Sequence, residues 1–288
     1  MTVALAVKVY DGIVLATDSA TTLVLPNGSA QVYNHANKTF NLDRRYPIGA
    51  MTWGLGQLGS ASISSIAKDL RRAFMGKDKK HEEMELPEEY KLAGVVEATA
   101  DWFGPMYADQ VELFDKAVAD GPPQEDGDGP RRLDELGIAV AGYSGVENDE
   151  PELYEIAFRP DSDPEIVQHL NEAASWVAFA QTRAAERLFK GVDPRLAPLL
   201  LASEGGTDVL DQLRDYPVQA AMPIQDAVDF ARFLADVTVG YSRYILGPDT
   251  VGGAVDLAAI TRHEGFKWVE RKHYFESTMN PKDETRSV

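Results

Sequence analysis

The first eighteen residues set the tightest limit on what this chain can fold into. Val3, Leu5, Val7 and Val9 alternate with Thr2, Ala4, Ala6 and Lys8, and a period of two specifies a strand. Asp11-Gly12 follows, a strong two-residue hairpin signal, and Gly12 to Thr17 returns as a second strand. One face of the first strand is bulky. The other carries Thr2 among small neighbours, at the open start of a strand that reads as buried. Methionine aminopeptidases remove Met1 when the next side chain is small, so the mature chain is expected to begin with a free threonine amine and to need no propeptide. Such a residue holds a nucleophile and a base together.

The rest of the chain continues in blocks. Short strands are expected over Gln31 to Tyr33, Lys38 to Leu42 and Ile48 to Trp53, with a turn at Pro26-Asn27-Gly28. After Gly54-Leu55-Gly56-Gln57-Leu58-Gly59, Ser60 is placed to cap a helix reaching about Met75, with Ile63, Ile66, Leu70 and Phe74 at helical spacing. A second helical region spans Glu88 to Val118, and Gly104-Pro105 is expected to kink or split it. Residues 121–130 form an acidic loop rich in glycine and proline. Strands return at Gly137 to Ala141, Glu152 to Phe158 and Trp176 to Ala180. Helices at Thr182 to Lys190 and Pro223 to Val239 and a hairpin over Ala254 to Glu270 complete the order. Strand runs separated by helix pairs imply an α+β fold with two antiparallel sheets between helix layers, a four-layer αββα sandwich. It is read as one domain over 1–288, with insertions near 76–135 and 191–220 and a polar tail at about 274–288.

Composition narrows the function classes. With 288 residues, 44% of them hydrophobic, the chain can bury one large core. No apolar run is long enough for a transmembrane helix and no basic n-region marks a signal peptide, so a cytoplasmic location is expected. Cysteine is absent, which excludes disulfides and thiolate metal sites. The five histidines have no ligand spacing, and no metal or other cofactor is expected. The formal charge of −18, from 46 acidic against 28 basic residues, argues against nucleic acid and anionic membranes as partners and biases against acidic substrates.

An N-terminal threonine needs a cation to lower the pKa of its hydroxyl, an acid to hold that cation, and backbone amides to meet the oxyanion. Thr2, Lys38 and Asp18 supply the first three parts. Each has a plainer reading: threonine is common at position two, Asp18 can cap a turn, and Lys38 can be an ordinary strand lysine. Yet Lys38 sits in an apolar strand, where a lone lysine requires a carboxylate partner.

In ordered motifs the chain resembles the proteasome β-subunit family of N-terminal nucleophile hydrolases. The matching stretches are Thr2 to Asp18, Lys38-Thr39-Phe40-Asn41-Leu42, Gly49-Ala50-Met51-Thr52-Trp53-Gly54 and Val251-Gly252-Gly253-Ala254-Val255-Asp256-Leu257. The resemblance implies Thr2 as nucleophile, its amine as base, Lys38 as the group that lowers its pKa and Asp18 as the orienting acid. It places Thr22 on a strand that pairs with a peptide substrate and gives the oxyanion amide to Trp53 or Gly54. Three departures stand out. Ala20 replaces a basic residue, Phe179-Ala180-Gln181-Thr182 replaces a Gly-Ser-Gly turn, and Gly247-Pro248-Asp249-Thr250-Val251 stands where an Asp-x-x-Ser pair supports the threonine, a role here given to Asp249. The family implies hydrolysis of peptide or amide bonds through an acyl-enzyme, and assembly into homo-oligomeric rings or related stacks with an ATPase or other regulator left open. The helix carrying Ile63, Ile66 and Leu70 and the long second helix are the expected contact surfaces. A non-catalytic scaffold or gating subunit, and an amidase or transpeptidase acting on a small substrate, remain the alternatives.

Overall fold

A computed structural model describes residues 2–24, 30–121, 132–145, 150–245 and 251–272. In chain order the strands are β1 (Val3–Val9), β2 (Gly12–Thr17), β3 (Thr21–Val24), β4 (Ala30–Tyr33), β5 (Thr39–Asp43), β6 (Ile48–Gly54), β7 (Gln57–Leu58), β8 (Ala61–Ser62), β9 (Leu136–Gly142), β10 (Glu152–Arg159), β11 (Ser162–His169), β12 (Ser175–Ala180), β13 (Asp256–Thr261) and β14 (Gly265–Glu270). The helices are α1 (Ile63–Phe74), α2 (Leu92–Ala119), α3 (Arg183–Phe189), α4 (Ala197–Leu201), α5 (Gly206–Leu213) and α6 (Ile224–Arg243). Two five-stranded antiparallel sheets form, ordered β12-β1-β2-β13-β14 and β11-β10-β9-β6-β5. The fold thus mixes α and β elements around antiparallel sheets.

The alternation in β1 explains its two environments. Val3, Leu5, Val7 and Val9 pack with Ala227, Ala231 and Leu234 of α6. Ala4 and Ala6 turn the other way and meet Met51 and Trp53 of β6 and Ala139 and Ala141 of β9. The small side chains of Ala4 and Ala6 leave room there for Met51 and Trp53. The far face of the second sheet, through Phe40, Ile48, Ile138 and Ile156, packs on α1 and α2. Ile63, Ile66 and Leu70 are therefore buried in the chain's own core, so those three side chains are not contact surface for a partner.

Several boundaries differ from expectation for identifiable reasons. Ser62, not Ser60, caps α1, accepting from the Ser65 amide at 3.2 Å, because β7 and β8 first form a small hairpin. Helix α2 passes through Pro105 without splitting. Proline removes one amide donor there, and both Pro105 and Asp101, one turn earlier, are exposed, so water can satisfy the released carbonyl. Strand β11 and the short helices α4 and α5 had no forecast. The turn at Pro26-Asn27-Gly28 and most of the acidic loop lie outside the described residues.

Candidate active site

The chemistry gathers where the two sheets meet. At the end of β2 the Thr17 hydroxyl lies 2.9 Å from that of Thr39, the first residue of β5, linking one sheet to the other. The next residue along β2 is Asp18 and the one before β5 is Lys38. The crosslink therefore brings these two together, and Lys38 Nζ donates to Asp18 Oδ1 at 2.7 Å. Lys38 Nζ also donates to Thr2 Oγ1 at 2.8 Å. Thr2, Lys38 and Asp18, apart in sequence, form one continuous chain of polar contacts in which every member is buried.

Asp18 is fully enclosed and fully occupied. Its Oδ1 also accepts from the Val3 amide at 3.1 Å, and its Oδ2 from the amides of Ala20 at 3.2 Å and Gly252 at 3.1 Å. Four donors, one of them cationic, stabilise a buried carboxylate. Lys38 is held differently. Desolvation pushes its ammonium below the usual lysine pKa, the nearby charge of Lys272 pushes the same way, and Asp18 only partly offsets both. A lysine in this state releases its proton more readily than an exposed one.

The threonine itself is clamped on its far side. Gln181 donates its backbone N–H to the Thr2 carbonyl at 3.1 Å. The turn that makes this contact contains Ala180, whose φ of 61° is left-handed. Here alanine adopts the conformation a glycine takes without penalty.

A cleft of about 600 Å³ opens over this chain, lined by Thr2, Lys38, Thr21, Trp53 and Gly54 among others. Gly54 ends β6 with φ 81°, and a Cβ there would sit 1.9 Å from the Glu135 carbonyl oxygen; only glycine fits. Trp53 is nearly buried, and its ring stacks on Phe179 at 4.5 Å between centroids, so its side chain is wall while the backbone beside it borders the cleft. Thr22 lies on β3, paired with Val32 of β4. Asp249 lies outside the described residues, and the structure says nothing of its role. No group of three or more potential metal ligands occurs among the described residues, and no helix among them is long and apolar enough to cross a membrane.

No family model matches the chain, and no curated protein matches its sequence. Among solved structures it is similar to Anbu (ancestral beta-subunit) from Yersinia bercovieri, at 14% identity over 94% of this chain and 88% of that one, with a TM-score of 0.45. A likeness at that level carries no argument about chemistry, so the residues must carry it.

Sequence reasoning missed a second polar cluster behind the first. Lys272 Nζ donates to Ser19 Oγ at 2.7 Å and to Asp256 Oδ2 at 2.5 Å. Ser19 in turn donates to the Ala254 carbonyl at 2.5 Å. The backbone amides of Ser19 and Ala20 both donate to the Gly252 carbonyl. Gly253, at φ 76°, approaches so closely that a Cβ would sit 2.5 Å from the Asn34 carbonyl oxygen. The Gly252-Gly253 pair was the available signal; Lys272 had none.

Proposed function

We propose that this protein is an N-terminal threonine hydrolase of the proteasome β-subunit type, built as an αββα sandwich and acting on peptide amide bonds. The observation that supports this reading above others is the buried Thr2 Oγ1–Lys38 Nζ–Asp18 Oδ1 chain beneath an open cleft. An ordinary structural lysine has no need of a threonine hydroxyl at the base of a cleft.

The reading requires cleavage of the peptide bond before Thr2. The exposed amine, with Lys38 beside it, then accepts the hydroxyl proton as Oγ1 bonds to the substrate carbonyl carbon. The Gly54 backbone N–H is assigned to the developing oxyanion. The leaving amine takes the proton as the C–N bond breaks, leaving an ester on Thr2. Water, deprotonated by the Thr2 amine, attacks the ester carbonyl; the C–Oγ1 bond breaks and the amine returns the proton to Oγ1. Assembly of several copies belongs to the same reading and is measured by light scattering.

Intact mass spectrometry before and after treatment with a peptide epoxyketone tests the proposal. The expected result is a chain that begins at Thr2 and gains one inhibitor mass at that residue. A chain that keeps residue 1, or an unmodified Thr2, sinks it.

A further inference from the structure

Three residues of α1 share one face. Ser64, Lys68 and Arg71 lie at i, i+4 and i+7, beside the apolar stripe that enters the core. Ser64 and Lys68 line the cleft over Thr2 and also a small annex of about 40 Å³, which Arg71 and Arg271 complete. Arg271 is held over the Trp268 ring, 4.7 Å from its centroid.

The charges here are unbalanced. Neither Lys68 nor Arg71 forms an ion pair with any described residue. Arg71 is half-buried, and its guanidinium is pushed below its usual pKa by desolvation and then by the like charges of Arg44 and Arg271, with no carboxylate acting the other way. The Ser64 hydroxyl is buried without a hydrogen-bond partner among the described residues. No aspartate or glutamate among the described residues lines either the cleft or the annex, although the chain carries 46 acidic residues and a net charge of −18. Gathering cations around a half-buried guanidinium without a counter-charge is unfavourable, and a ligand carboxylate would reverse that, accepting from the guanidinium, the ammonium and the hydroxyl at once.

We infer that the annex formed by Ser64, Lys68, Arg71 and Arg271 seats an acidic side chain of the peptide substrate, making the cleft selective for peptides that carry a glutamate or aspartate at a fixed distance from the bond to be cut. This deepens the hydrolase reading and rests on it for the position of the scissile bond. It also reverses the bias drawn from net charge alone, because the cleft does not share the composition of the chain as a whole.

A binding experiment separates this inference from catalysis. Rhodamine-labelled hexapeptides, in which a single glutamate, glutamine or lysine is walked through a neutral sequence, are titrated into Thr2→Ala protein and followed by anisotropy. At one position glutamate should bind at least about 10-fold more tightly than glutamine, the scale of charge-assisted hydrogen bonding, and lysine more weakly than either. Lys68→Ala and Arg71→Ala should each bring the glutamate-to-glutamine ratio close to one, while Lys116→Ala, exposed at the far end of α2, leaves it unchanged. Lys68 is exposed on its helix, so Lys68→Ala reports even if the Arg71 variant folds poorly. Equal binding of glutamate and glutamine peptides at every position overturns the inference, as does a preference that survives both variants. Failure of every peptide to bind overturns it too, as does saturation by inorganic phosphate alone without any glutamate preference. None of these readouts depends on turnover, which the epoxyketone experiment judges separately.

Discussion

Lys38 lines the cleft and Arg71 the annex beside it, one buried and the other half-buried, yet the fold treats them in opposite ways. Lys38 meets a fully buried carboxylate at 2.7 Å, and that carboxylate is held by three backbone amides as well. The charges that act on Arg71, those of Arg44 and Arg271, are both positive. A balanced pair of this kind is a finished piece of architecture: remove either member and the other is stranded. An unbalanced cation is unfinished, and its removal strands nothing. The contrast separates the part of the cleft that the chain completes from the part left for something else to complete.

The sharpest way to break the comparison is a matched pair of truncations. Lys38→Ala should leave Asp18 buried without its cation and cost about 3 kcal/mol of stability, the range for breaking a buried pair. Arg71→Ala should stay within about 0.5 kcal/mol of the parent. Urea unfolding followed by circular dichroism measures both, and similar losses would erase the distinction. In turnover of a glutamate peptide, Lys38→Ala should lose about 10³-fold or more, on the scale of losing a proton-handling group, whereas Arg71→Ala should raise KM with kcat nearly kept.

Salt sharpens the same contrast at intermediate size. Raising NaCl from about 0.02 to 0.5 M should remove most of the glutamate preference, because the annex is solvent-connected and screened. The half-denaturation point should respond far less, since the Asp18–Lys38 pair is enclosed.

The pH profile probes Lys38 from within. Burial holds its pKa below the usual lysine value, so activity that needs the Lys38 cation should fall along a limb as pH rises through that depressed pKa. The Lys272 charge disfavours protonated Lys38; Lys272→Met should therefore raise the pKa and move the limb to higher pH. A limb that stays fixed in this variant would show that Lys38 does not set it.

The smallest expected effect lies at Ala180. Relieving its left-handed backbone by Ala180→Gly should stabilise the fold by about 1 kcal/mol, or roughly 2 °C in Tm for a chain of this size, as read by calorimetry. A destabilised variant would show that the alanine methyl packs usefully enough to outweigh the backbone term.

How much of this was legible follows from how local each signal is. The β1–β2 hairpin could be read because its alternation and its Asp-Gly turn are contiguous. That Lys38 needs an acid could be read because a lysine in an apolar strand demands one; the choice of Asp18 came from the resemblance to the proteasome β-subunit family. Strand β11 was not legible: it is an edge strand, exposed along nearly its whole length, so no burial alternation is imprinted on it. Helices α4 and α5, of 5 and 8 residues, are too short to establish a helical period. Lys272 lies 253 positions from Ser19, and no local pattern announces a contact of that span. The annex stayed hidden for a related reason. Its cations are ordinary on a helix surface, and only the arrangement in space shows that no carboxylate accompanies them.

The Gly252 amide on Asp18 closes a contact across 234 positions of chain, and the Gln181 amide grips Thr2 across another long span. Contacts of such long reach form late, after most of the chain has already collapsed. The threonine would therefore acquire its full set of supports only when the last sheet strands are in place. On the proposed hydrolase reading, a partly folded or truncated chain would hold the hydroxyl without the groups assigned to activate it, and the topology would delay reactivity until folding is complete.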